Sequence, residues 1–389
     1  MELLNMHEVS IAPLWTIRNP RGEALAPRVV ELLVQVHEHG NLARACVAGG
    51  VSYRHAWELL RVGESLFGEP LLTMTRGRGS RLTALGEKLV WADRRIHARL
   101  SPLLDTLASE LSAEIEKVLS ALPASLRIHA SHGFAVQALH TLLTQAGVTS
   151  ELKYCGSSEA LASLHNGTCD AAGFHAPLGE FEAETVAHYR PWLRPRAQRL
   201  IHVATRRQGL MVASGNPKKI YDIADLARED VRFINRQPGS GTRFLLDLLL
   251  RRHGLDADRI RGYQQCEYTH AAVAAFVASD MADAGFGVET PARQFKLEFV
   301  PVQAERYFLL CEERALEGPM LQQMLELLRS PAFRAAVDQL PGYRADEAGR
   351  VVALDEAFES LRTAPEGGTG AAAADDAPAP RRRARLSRA

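Results

Sequence analysis

Apolar positions along the chain repeat in two different registers, and the switch between them divides it in two. Over residues 26–66, Val29, Leu32, Leu33 and Val36 recur at i, i+3, i+4 and i+7, which marks the buried face of a helix, and Gly40 supplies its stop. A short helix over residues 41–48 follows. Gly49-Gly50-Val51 then makes a turn, and Ser52 stands ready to cap a third helix through about residue 66. Two short helices joined by a glycine turn form a helix-turn-helix. The next stretch, EPLLTMTRGRGSRLTALGEKL, reads as strand, turn, strand, with Arg76, Arg78 and Arg81 around a glycine-hinged tip, which makes a basic wing. From residue 83 to about residue 122 runs one long helical pattern, expected to be interrupted near Pro102. Its length suits a helix that links domains and pairs with a copy of itself.

From Leu126 onward, short apolar runs alternate with helices of 10–15 residues, the pattern of a mainly parallel α/β sheet. About 215 residues of this alternation are natural for two lobes. The expected fold class is therefore α/β, with an N-terminal winged helix-turn-helix and a long dimerisation helix ahead of a two-lobed α/β domain. The boundaries read as residues 1–82, 83–122 and 126–345, with the second lobe at about 208–290. Residues 364–389, rich in Ala, Gly and Pro and ending in RRRARLSRA, read as a disordered basic tail.

Composition adds exclusions. The formal net charge is zero, so basic character has to be local. Between Ser52 and Arg99 there are nine Lys/Arg against five Asp/Glu, an excess in the region of the helix-turn-helix. Five cysteines are dispersed without a CxxC pair, as expected of a reducing cytoplasm. No apolar run approaches the roughly 20 residues of a spanning helix, and no signal-peptide pattern opens the chain, so the reading is cytoplasmic with no membrane partner.

Recognition helices read base edges with their N-terminal residues, and arginine contacts guanine bidentately. Ser52, Tyr53, Arg54, His55 and Arg61 are therefore the candidate reading residues, and Arg76, Arg78 and Arg81 the candidate phosphate or minor-groove contacts. The segment GNLARACVAGGVSYRHAWELLRVGESLFGEPLLTMTRGRGSRLTALGEKLV resembles the winged helix of ModE-type and LysR-type regulators, closer to the ModE type at GVSYxxAW. That resemblance implies double-stranded operator DNA as a partner and a homodimer or tetramer. It also brings molybdate to mind as an effector. The chain departs from the ModE type after Leu126, where no small β-barrel module follows.

The second constellation centres on NRQPGSGTRF. It lies between an apolar run, VRFI, and the helical LLDLLLRRHG, so the loop opens a helix whose free N–H groups and dipole favour an anion. Gly239 and Gly241 allow close approach, Ser240 and Thr242 add hydroxyls, and Arg243 adds a permanent charge. The loop lacks the lysine of a phosphate loop and the spacing of a dinucleotide fingerprint. Three more strand-to-helix corners carry small polar residues: Ser131 and His132, Ser157 and Ser158, Thr269 and His270. Polar corners at one sheet edge point to the crevice where α/β folds bind ligands. His132, His175 and His270 lack metal-ligand spacing, and there is no nucleophile elbow, so neither a metal nor a catalytic centre is expected.

Residues 126–345 resemble the periplasmic-binding-protein-like domain, carried by RQGLMVASGNPKKIYDIADLAREDVRFINRQPGSGTRFLLDLLLRRHG and FVPVQAERYFLL. The resemblance implies two lobes hinged near residues 204–212 and 288–304 around a small ligand. Its leaning is toward tetrahedral oxyanions such as molybdate or tungstate, with formate or another small carboxylate as the alternative, and no cofactor. The expected function is a DNA-binding transcriptional regulator that senses a small anion. The rival expectation is a protein or enzyme of molybdenum-cofactor metabolism that uses its helical region for assembly alone.

Overall fold

The computed structural model describes residues 7, 9–75, 79–119 and 125–362. Helices α1 (Pro27–His39), α2 (Leu42–Ala48) and α3 (Tyr53–Phe67) are followed by the antiparallel pair β1 (Leu72–Thr75) and β2 (Gly79–Leu82). Their apolar stripes meet in one core that includes Val29, Leu33, Val36, Leu42, Ala56, Leu60 and Leu71. Asn41 and Ser52 cap α2 and α3 by accepting from the backbone N–H of Arg44 and His55. At Gly63 a Cβ would come within 2.8 Å of Leu71, so α3 packs this closely only with glycine there.

Helix α4 (Ala84–Leu119) runs through Pro102 unbroken, against the expected interruption. Proline cannot donate to the carbonyl four residues back, a loss of roughly 3 kcal/mol in an ordinary helix. Here that carbonyl, of Ala98, accepts instead from Thr269 Oγ1 at 2.8 Å. A tertiary hydrogen bond takes the place of the missing helical one.

The α/β region continues as β3 (Leu126–Ala130), α5 (Phe134–Gln145), β4 (Ser150–Tyr154), α6 (Ser157–His165), β5 (Ala171–Pro177), α7 (Glu182–Tyr189), β6 (Gln198–Val212), β7 (Phe233–Arg236), α8 (Gly241–Arg252), β8 (Cys266–Glu267), α9 (His270–Ala278) and β9 (Ala284–Val288). It closes with α10 (Glu289–Gln294), β10 (Glu298–Glu312), α11 (Pro319–Arg329), α12 (Pro331–Asp338), β11 (Tyr343–Arg344), β12 (Val351–Ala353) and α13 (Leu354–Ala357). The strand order is β4-β3-β5-β10-β6-β9-β7-β8, with β11 and β12 also on β6.

Two lobes follow from that order. The 15-residue strands β6 and β10 pair antiparallel along their length and serve both. Their first-lobe portions carry β5 on residues 305–310 and β12 on residues 199–201, while residues 208–212 carry β9 of the second lobe. Each lobe has its own apolar core, one around Ile128, Leu139 and Leu309, the other around Phe233, Leu246 and Phe286. The domain does not end at residue 345 as the sequence reading had it: Leu354, Phe358 and Leu361 pack beneath Phe174 and Phe308.

Helix α4 lies against both lobes. Tyr154 N donates to Thr106 Oγ1 at 3.1 Å and Leu152 N to Ser109 Oγ at 2.8 Å, which ties α4 to the edge strand of the first lobe. Arg99 Nε meets the buried Glu267 Oε2 at 2.6 Å in the second. Trp91 completes the contact with the helix-turn-helix, stacking on Phe295 at 6.0 Å and meeting His37 edge-on at 5.3 Å.

Candidate functional site

The first turn of α3 is open to solvent. Ser52, Tyr53, Arg54, His55 and Arg61 are all exposed. The Arg54 side chain keeps 92% of its accessible surface and pairs with Glu58, one turn on, at 3.3 Å. Ala56 and Leu60 turn inward on the same helix, so the core fixes the pitch at which the exposed residues are presented. Arg81 lies on β2 and is exposed, while Arg76, Arg78 and the basic tail fall outside the described residues.

The second site lies between the lobes. The N-termini of α5 and α6 from the first lobe, and of α8 and α9 from the second, open at the carboxyl ends of β3, β4, β7 and β8. Gly133 and Gly156 cap α5 and α6 with no side-chain hydrogen bond, which leaves their first N–H groups available. Ser240 and Thr269 cap α8 and α9 through their hydroxyls. The lobes approach at these corners: a Cβ on Gly156 would sit 3.2 Å from the Gly239 carbonyl oxygen. Gly239 itself has φ +80°, a turn conformation that favours glycine.

The cavity between them measures about 780 Å³. Ser131, His132, Ser157, Ser158, Gly239, Ser240, Gly241, Thr242 and His270 line it, as the sequence placed them. Two expected residues are elsewhere. Arg243 stacks its guanidinium on Tyr263 at 4.2 Å and reaches the Arg236 carbonyl, so it braces the loop from behind. The hydroxyl of Thr269 is committed to Ala98 and to capping α9.

The buried charge in the cleft is that of Arg206 and Arg236, while Arg99 and Lys153 line it at more exposed positions, paired with Glu267 and Glu159. Arg206 is neutralised. Its Nε donates to Glu305 Oε1 at 2.6 Å, and Gln208 Nε2 ties that same oxygen to Thr242 Oγ1 with bonds of 3.0 Å each. Burial works against the Arg206 charge, and Glu305 beside it more than offsets this.

Arg236 has no such carboxylate. Its Nε and Nη2 donate to Gln237 Oε1 and the Tyr268 carbonyl, and Nη1 has no partner. Burial, and then the neighbouring Arg206, pull its pKa down to about 9. The signal in the sequence was an arginine closing the strand FINR behind Phe233 and Ile234, where a charge survives only if the fold uses it.

Three histidines flank this charge in neutral form. Burial and then Arg236 lower His132 to about 4, while burial and both arginines hold His175 and His270 well below the ordinary value. His37, half-buried beside Arg94 under the helix-turn-helix, is also lowered to about 4, by burial first and then by Arg94. These groups bind protons in the unfolded chain below about pH 6.5 but not in the folded one. Stability is therefore fully present above pH 6.5 and falls as pH drops from there toward 4, by up to about 1.4 kcal/mol per pH unit for each histidine. Melting temperatures recorded from pH 7.5 to 4.5 check this. A flat profile contradicts it.

Among the described residues no group of three or more His, Cys, Asp or Glu is arranged to hold a metal ion, and no helix is long and apolar enough to cross a membrane. The arrangement as a whole is that of a two-lobed binding domain with an electropositive interlobe cleft, carried behind a winged helix-turn-helix.

Residues 140–329 match the PBP superfamily domain. An uncharacterized protein, YvgK, of Bacillus subtilis is 34% identical over 204 residues, 51% of this chain and 64% of its own length, so the match spans just under two thirds of that relative. An uncharacterized protein encoded in the 5' region of a ferredoxin gene of Clostridium pasteurianum is 34% identical over 109 residues, 28% of this chain and 96% of its own. The molybdenum-pterin-binding protein MopB of Rhodobacter capsulatus is 30% identical over 118 residues, 29% of this chain and 43% of its own. The chain belongs to the family of the Clostridium protein. Behind the N-terminal helices and the β1–β2 pair it carries a PBP-like domain.

Proposed function

We propose that this protein is a transcriptional regulator that binds operator DNA as a homodimer and senses a small anion in its interlobe cleft. The observation that carries the anion reading is the Arg236 guanidinium, buried and lacking a carboxylate, at the meeting point of four helix N-termini. A buried charge without a counter-charge is expensive, so a site that keeps one is built for a partner that supplies the opposite sign. Molybdate or tungstate is the favoured class of head group. The name of the Rhodobacter relative supports that choice, and a small carboxylate such as formate is the alternative. Anion contacts from both lobes favour the closed cleft, and differential affinity for the closed state shifts the population toward it.

The DNA reading rests on the exposed first turn of α3, with Arg54 as the base-edge contact and Arg81 on a backbone phosphate. Pairing through α4 rests on Leu100, Leu104, Leu107, Leu111 and Val118, which follow a heptad spacing along one side of the helix; all but Leu104 are well exposed. Arg54→Ala is expected to weaken binding to an operator selected from a random duplex pool by about 1–3 kcal/mol, roughly 5- to 150-fold. Fluorescence anisotropy reads the change, and an unchanged affinity would remove Arg54 from the interface.

A further inference from the structure

The cleft has a third wall. Besides the corners of the two lobes, helix α4 lines it, with Pro102, Leu103 and Thr106 facing the cavity and Leu107 at its rim. Leu103 leaves 58% of its surface exposed there, and Tyr268 leaves 61% on the opposite lip. The helix is held in that position from both sides, by Arg99 and Ala98 against the second lobe and by Thr106 and Ser109 against the first.

The volume is the second observation. A five-atom oxyanion displaces on the order of two or three waters, each about 30 Å³. The cavity of about 780 Å³ is several times larger and falls within the roughly 300–1,000 Å³ range of sites that enclose a drug-sized ligand. Its chemistry is graded along its length. The inner end holds Arg236, Ser157 and the free N–H groups of α6. The more exposed lining holds Pro102, Leu103 and Tyr268, beside charged side chains that are already paired, Lys153 with Glu159 and Arg99 with Glu267. A bare oxyanion satisfies the first and leaves the second unused.

We propose that the effector is an organic anion, whose anionic head sits at Arg236 and whose apolar or aromatic body packs between Tyr268 and Leu103 of α4. The linker helix is then part of the effector site. Ligand contact is made directly by the helix that enters the DNA-binding domain, rather than relayed to it through lobe closure alone. This rests on the reading of the inner cleft as an anion site and adds the part of the ligand that reading leaves open.

Two probes with the same head and different bodies test it on the full chain: inorganic phosphate and phenylphosphonate, titrated calorimetrically. Phenylphosphonate is expected to bind at least 10-fold more tightly. Leu103→Gln, a neutral change at an exposed position that the fold does not depend on, is expected to erase that advantage while leaving phosphate within 2-fold of its wild-type affinity. Equal affinities in the wild type, or an advantage that survives Leu103→Gln, would overturn the third wall and leave the anion site standing. No binding of either probe at millimolar concentration would overturn both.

Discussion

Replacing Arg236 with methionine is expected to weaken anion binding sharply and, in the same stroke, to make the ligand-free protein more stable. In the unfolded chain this guanidinium keeps its ordinary high value, whereas in the fold burial and then Arg206 hold it down to about 9. The folded state therefore disfavours the charge at every pH below about 9, and the penalty is relieved only as pH rises above that. Methionine is of similar length and fits the same channel without charge. Exchanges of this kind at buried, poorly compensated charges are often stabilising. The variant is expected to melt higher, by roughly 2–4 °C for each kcal/mol recovered. Its affinity for anions is expected to fall about 10- to 100-fold, the equivalent of one or two hydrogen bonds to a charged group. A lower melting temperature with intact anion binding would show Arg236 to be structural.

The second large effect concerns the paired helix. Leu111→Glu with Val118→Glu places two like charges on the proposed seam of α4, at exposed positions away from the interlobe cavity. The double variant is expected to sediment as a monomer. Its operator affinity is expected to fall about 100-fold, because the second half-site no longer binds at the effective concentration set by the first. Far-ultraviolet circular dichroism is expected to stay unchanged, since both are surface residues. A variant that remains dimeric would place the interface elsewhere.

Much of this was written in local pattern. The helix periodicity over Val29–Val36, the caps at Asn41 and Ser52, and the glycine turn between them are short-range features. Each acts within one turn of the chain, so the helix-turn-helix could be read directly. The polar corners were legible for the same reason: Ser131, Ser157, Ser240 and His270 each stand at a strand end beside a helix start.

What escaped was set by distance in sequence. Whether Arg236 or Arg243 faces the cleft depends on Tyr263, which captures the latter some twenty residues downstream. Arg206 gained a role only because β6 and β10 bring Glu305 beside it from nearly a hundred residues away. Pro102 breaks a helix by every local rule, and its neighbour Ala98 is rescued by Thr269, a residue of the other domain. Local chemistry fixed the elements, and long-range pairing decided which of their side chains do the work.

The measurement closest to the central claim is calorimetric titration of the full chain and of Arg236→Met with molybdate, tungstate, sulfate, phosphate and formate. The account predicts one anion bound per chain in the wild type, tightest for the effector's own head group, and a sharp weakening of that binding in the variant. Heat-silent titrations with all five anions, or binding that Arg236→Met leaves untouched, would contradict it.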